Sequence, residues 1–196
     1  MSKSIPHDKF LNGIRLCRRN AKRLLLLADE AYSKECFHAS FLLGFASLEE
    51  TGKAVIILNH INDECITFEK YKNELKNHDK KILEALKMEH ENILEVFRLG
   101  FREAFLKELK STEPKEKDIK EITDIRLDSI YVDYDFIENG WKKPKKDVKQ
   151  DAWNILIKSF DAYNCFLNEC KHRGVRLRKK ANPLFNKHFM VGGELR

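Results

Sequence analysis

From Phe41 to Leu58 the chain is almost wholly apolar, yet Glu49-Glu50-Thr51-Gly52-Lys53 sits in the middle of that run. At about 100° per residue, Glu49 and Lys53 share a helix face with Leu42, Ala46 and Ile56, and Glu50 falls between Leu43 and Ile57. A helix that is hydrophobic nearly all round belongs inside a bundle. Carboxylates placed there are costly unless they are paired or hydrogen-bonded. Two readings follow. Glu49 and Lys53 form an i,i+4 pair in the favoured order, and Glu50 and Lys53 an i,i+3 pair, so an internal salt bridge without chemistry accounts for the spacing. A functional site that needs these charges is the other.

The rest of the composition agrees with helices. Of 196 residues, 42% are hydrophobic and 35% charged, with only eight glycines and four prolines. That balance predicts one all-α domain over residues 1–196, with a core of ordinary size. No Asn-Gly turn joins two alternating runs, so a sheet protein is not expected. Met1 to Gly13 has no apolar h-region, which predicts no signal peptide. Leu24–Leu27 is too short to span a bilayer, and three charges interrupt the Phe41–Leu58 run. Cys17, Cys36, Cys65, Cys165 and Cys170 are scattered, with no Cys-x-x-Cys pair. Reduced thiols in a cytoplasm, and no zinc site, are expected.

Apolar positions outline the helices. Phe10, Ile14, Cys17, Ala21, Leu24, Ala28 and Ala31 recur at spacings of four and three and predict a first helix from the Ser4-Ile5-Pro6 start to about Ser33. The second runs from about Lys34 to Asn62. A third pattern runs from about Phe68 to Lys110 on Leu75, Ile82, Leu86, Ile93, Phe97, Phe101 and Phe105, with a break expected between Lys76 and Lys81 or near Gly100. Lys115–Asp128 reads as a short helix. Ile130–Phe136 has alternating, strand-like character, and Glu138–Trp141 reads as a turn. The last long helix spans about Asp147 to Lys171 on Ala152, Ile155, Leu156, Phe160, Tyr163 and Leu167, and a basic tail occupies 172–196. The expected architecture is an antiparallel bundle of four to five helices with an irregular insertion before the last one. Apolar surface left over on such bundles commonly forms a symmetric dimer.

Three features could carry chemistry besides the acidic pair. His78-x-x-Lys81 lies at the edge of an apolar arc, and a histidine there can exchange protons near neutral pH or simply pack. Arg126 and Tyr131 stand five positions apart. Arginine holds phosphate bidentately and tyrosine donates to an oxyanion; equally, Arg126 can pair with Asp124 or Asp128. The formal charge of +6 gathers partly in Lys142–Lys146 and more densely in Lys171–Lys180. Such runs are either solvated surface or a nucleic-acid footprint. No phosphate-cradling glycine loop, nucleophile elbow or His-x-x-x-His spacing occurs, so no cofactor, ATP or metal is expected.

In this order, Glu49-Glu50-Thr51-Gly52-Lys53, His78-x-x-Lys81 and Arg126 with Tyr131-Val132-Asp133-Tyr134 resemble the AbiV-type abortive infection proteins of the HEPN superfamily, over about Phe10 to Phe166. The resemblance implies a helical bundle, a homodimer and a role in bacterial phage defence. HEPN domains are often metal-independent endoribonucleases marked by an arginine, four to six residues, then a histidine. This chain has no such pair; Arg126-x4-Tyr131 has the spacing with tyrosine, whose pKa near 10 makes it a poor base.

On that resemblance, His78, Arg126, Lys53, Glu49, Glu50 and Tyr131 are the candidate catalytic set. His78 would move the proton, Arg126 and Lys53 would face the phosphate, and Glu49 and Glu50 would hold the cations. Lys81, Lys171, Arg173, Arg176, Arg178, Lys179 and Lys180 are the candidate RNA-binding set. RNA, a second copy and a phage-encoded trigger protein are the expected partners, and no membrane. The other readings are a non-enzymatic dimer that binds a phage or host factor, and an antitoxin-like or nucleotide-binding HEPN partner.

Overall fold

The computed structural model describes residues 6–61, 68–98, 112–130, 133–135, 140–142, 148–175 and 177. They form helices α1 (His7–Ser33), α2 (Phe37–His60), α3 (Phe68–Lys76), α4 (His78–Arg98), α5 (Glu116–Ile130) and α6 (Lys149–His172), with strands β1 (Asp133–Asp135) and β2 (Gly140–Lys142) before α6. The fold is the expected helical bundle, with an insertion between α5 and the last long helix. That insertion holds a two-stranded antiparallel ribbon, Asp133 opposite Lys142 and Asp135 opposite Gly140. The alternating stretch and the turn beyond it therefore pair locally, a hairpin that the sequence reading did not expect.

α2 is the central element. It packs on α1, α4 and α6, and touches α3 and α5. One core lies among α1, α2 and α6 around Ile14, Leu25, Leu58 and Phe166. The other lies among the first half of α2, α4, α5 and α6 around Phe41, Leu48, Ile82 and Ile155. Small polar residues let the neighbours approach α2 closely. Ser47 Oγ donates to the Ala21 carbonyl of α1 at 2.9 Å. Ser159 Oγ of α6 lies 2.8 Å from the Gly44 carbonyl. These two buried hydroxyls thus have partners.

The helical boundaries have local causes. α1 ends at Lys34, and Glu35 takes a left-handed backbone (φ 59°) so that Cys36 N–H reaches the Ala31 carbonyl at 2.9 Å. Gly174 (φ 66°) ends α6 in the same way, with Val175 N–H on the Cys170 carbonyl at 2.8 Å. Both are the reversed cap that satisfies a helix's last carbonyls. The buried face of α1 carries Leu25 where the sequence pointed to Leu24. A straight helix turns by 3.6 residues, so a stripe drawn at 3.5 drifts off the core after several turns. Every stripe residue named for α6 is buried. In the third pattern, Ile82 and Leu86 are buried and Leu75 packs against the core. The side chains of Ile93 and Phe97, and all of Phe101 and Phe105, lie outside the described residues.

Candidate functional site

Asn77 makes the break within the third pattern. Its side-chain oxygen accepts the Lys80 N–H at 3.0 Å, the hydrogen bond of an N-cap, so α3 stops and α4 begins at the next residue. His78 therefore stands at the first helical position, with its side chain 61% exposed. Lys81 comes one turn later, facing α2, and its side chain is only 4% exposed.

Gly52 lets α4 come this close. A Cβ at that position would lie 1.7 Å from the Lys81 carbonyl oxygen, 2.5 Å from its carbon and 3.0 Å from its Cα. The two backbones are in contact there, and only hydrogen fits between them. One turn back along α2, the crossing sets Glu49 beside the start of α4.

Glu49 Oε1 is bonded to His78 Nδ1. Lys81 Nζ lies 3.9 Å from the same carboxylate oxygen and 3.4 Å from His78 Nδ1. A carboxylate only accepts, so it selects the tautomer with hydrogen on Nδ1 and leaves the lone pair on Nε2. Burial lowers the pKa of the Lys81 ammonium. The carboxylates of Glu49 and Glu50 oppose that shift, and the positive charges of Lys53 and Arg126 add to it.

Lys53 pairs with Glu50, three residues back, rather than with Glu49. Glu49 is thereby left to His78 and Lys81. On the far side of Glu50, the Cys17 thiol of α1 hydrogen-bonds to that carboxylate. Burial first, and the Glu50 charge second, push the thiol up to about 11. Arg126 reaches across from α5, with its guanidinium 4.7 Å above the centre of the Phe45 ring, one turn before Glu49.

The acidic pair is less enclosed than the apolar run suggested. Leu42, Leu43, Ala46, Glu49, Glu50 and Lys53 form the partly exposed seam of α2, while the positions between them are buried. An apolar stretch can be central in a bundle and still keep one edge at a cleft, and the charges occupy that edge.

Glu49, Glu50, Lys53, His78 and Lys81 are thus assembled at one crossing, and Arg126 lies near enough for its charge to act on Lys81. Lys81, expected at the RNA surface, is buried beneath His78. Lys171 and Arg173 are elsewhere. Arg173 pairs with Glu169 and points at the Leu58 carbonyl, nine residues along α2 from Glu49, about 13 Å at ~1.5 Å per residue. Tyr131, Arg176, Arg178, Lys179 and Lys180 lie outside the described residues. Among the described residues no group of three or more His, Cys, Asp or Glu could hold a metal ion, and no helix is long and apolar enough to cross a membrane.

Sequence reasoning missed Gly52 as the contact point, although an isolated glycine inside a helical pattern signals close approach. It missed Asn77, which was legible as a capping residue before Asp79. It also missed a second polar cluster, in which Glu74 of α3 receives His60 at 2.6 Å and Lys80 at 2.8 Å. Burial would raise the Glu74 carboxyl, but those hydrogen bonds from Lys80 and His60 hold it below the usual range.

The family model HEPN_AbiV, described as AbiV, matches residues 9–163 and so takes in α1, the whole α2–α4 crossing, Arg126 and most of α6. No curated protein and no solved structure matches the chain. A match over that span, most of the chain, places the chain in the AbiV family of HEPN abortive infection proteins.

Proposed function

We propose that the protein is a phage-defence effector that, once triggered by infection, cleaves RNA without a metal, with His78 as the proton-transfer group. The observation that carries this reading is the Glu49–His78 contact. It fixes the tautomer and leaves Nε2 of a solvent-facing ring as a base. In the first step Nε2 takes the proton of a ribose 2′-OH, and the 2′-oxygen attacks the adjacent phosphorus. The bond to the 5′-oxygen breaks, that oxygen takes a proton from solvent water, His78 returns its proton to solvent, and the products are a 2′,3′-cyclic phosphate and a 5′-hydroxyl. Proton transfer by a positioned histidine contributes roughly 10²–10⁴-fold. Arg126 and Lys53 stabilise charge growing on the phosphate. Lys81 is too buried for direct contact and instead holds Glu49 under the ring. The chain works as a homodimer, the second protomer completing the cleft, and a phage-encoded protein releases the activity.

The second reading is a non-enzymatic dimer that blocks a host or phage factor by binding it. What favours it is that Lys53 and Lys81 already have carboxylate partners, Glu50 and Glu49, so their charges are in part spent inside the protein.

Purified protein incubated with total RNA or tRNA in EDTA, with and without phage-infected lysate, separates the two. Wild type is run beside His78→Ala and Arg126→Ala. Cleavage by wild type and by neither variant is the expected result. Intact RNA throughout, with phage protection surviving in both variants, refutes the catalytic reading.

A further inference from the structure

α1 has an outer face that the bundle does not use. Leu16 is 53% exposed, Leu26 46% and Leu27 44%, the exposed large hydrophobic side chains among the described residues. A single exposed leucine is ordinary; three on one helix face are not. Arg19 and Arg23 lie between them and are also exposed. The order 16, 19, 23, 26 alternates steps of three and four, the spacing with which one helix reads another. Arg23 donates a hydrogen bond to Asn20 of its own helix, at 3.1 Å. No carboxylate occurs anywhere from Lys9 to Ala28, a stretch with six lysines and arginines in all.

The geometry points to this stripe as a docking site for an acidic amphipathic helix of another protein. Leucines at both ends of the stripe supply the apolar anchors, and Arg19 and Arg23 at its middle demand carboxylates opposite them. From Leu16 to Leu27 the stripe is about 16 Å long at ~1.5 Å per residue, which fits three turns of a partner helix. A second copy of the chain is a poor occupant. Antiparallel self-pairing centred between Leu16 and Leu26 sets Arg19 against Arg23 of the copy, twice, and parallel pairing sets each against itself. Like charges so juxtaposed are repulsive, and no acid between Lys9 and Ala28 relieves them. RNA has no use for the leucines. A lipid surface favours an unbroken apolar face with cations at its flanks, whereas these arginines interrupt the leucines. The inference stands apart from the RNA reading, since docking is measured without any cleavage.

The test uses the full chain and a labelled helical peptide of about 14 residues, with leucines at steps of three and four and glutamates on the flanks. A lysine-for-glutamate twin is the control, and binding is read by fluorescence anisotropy. The glutamate peptide binds wild type and weakens as salt rises; the lysine twin does not bind. Arg19→Glu with Arg23→Glu reverses that preference, and Leu16→Ala with Leu26→Ala weakens binding by at least about tenfold, ~1.4 kcal/mol. All four side chains are exposed, so circular dichroism should be unchanged. Equal binding of the glutamate peptide by wild type and by the charge-reversed variant overturns the proposal, as does no binding at all. Leucine-dependent binding of tRNA or anionic vesicles in place of the peptide overturns it too. So does self-association that the leucine variant abolishes.

Discussion

Replacing Gly52 with alanine should separate α2 from α4 and dismantle the site without touching any polar residue in it. The new Cβ would lie 1.7 Å from the Lys81 carbonyl oxygen, where real Cβ contacts essentially never fall below 3.0 Å, so the helices must part by at least 3.0 − 1.7 = 1.3 Å. The obstacle is backbone on both sides, with no flexible side chain to move away. Overpacking of this kind costs about 1–3 kcal/mol, and a backbone clash belongs at the upper end. Alanine returns about 1 kcal/mol of helix propensity. A net loss of about 2 kcal/mol remains, or roughly 4–8 °C in Tm for a chain of this length. The displacement also exceeds what the Glu49–His78 hydrogen bond can absorb, so protection against phage should fall with stability. The assay is thermal and urea unfolding followed by circular dichroism, with plaque counts on cells carrying each variant. Gly44→Ala is the internal control. Its Cβ would meet the Ile155 Cγ2 methyl at 3.2 Å, a side-chain contact that can yield, and the variant should be near neutral. If Gly52→Ala unfolds at the wild-type temperature while Gly44→Ala does also, the close crossing is not what holds the two helices in place.

Two further outcomes follow from groups outside the site. Burial pushes the Glu89 carboxyl up to about 7, Asp161 adding to the shift and Lys158 opposing it. It lines a cavity of about 400 Å³ between α4, α5 and α6, with His90, Asp118 and Lys158. The folded state therefore holds this proton more tightly than the unfolded chain does. Between about pH 4.5 and 7, stability should fall as pH rises, by up to about 1.4 kcal/mol per pH unit from this group. Glu89→Gln should remove that slope and leave the protein more stable than wild type at pH 8, as urea midpoints across pH would show. Glu35, in the left-handed region at φ 59°, pays a backbone strain that glycine avoids. Glu35→Gly should raise stability by about 1 kcal/mol in the same unfolding assay, and a loss of stability would contradict the cap geometry.

Much of this protein was legible in its residues. The order of the helices follows from periodicity, because burying one face of a helix against its neighbours leaves an imprint every three to four residues; four to five were expected and six are described. The break in the third pattern and the short helix after Pro114 follow from local signals. Ordered motifs also identified the family, since Glu49–Lys53, His78–Lys81 and Arg126 occur in one sequence order. Only tertiary structure decided which charges meet. Glu49 and His78 are 29 positions apart, and no spacing rule couples them. Local rules favoured Glu49 with Lys53, but the approach of α4 over Gly52 brought His78 and Lys81 to Glu49 and left Lys53 to Glu50. Burial likewise moved Lys81 from the expected surface to the interior, because a residue one turn inside α4 at the crossing faces α2, whatever its charge. Sequence determines which faces are apolar; how closely two of them approach depends on both backbones at once, and that distance set the polar partners.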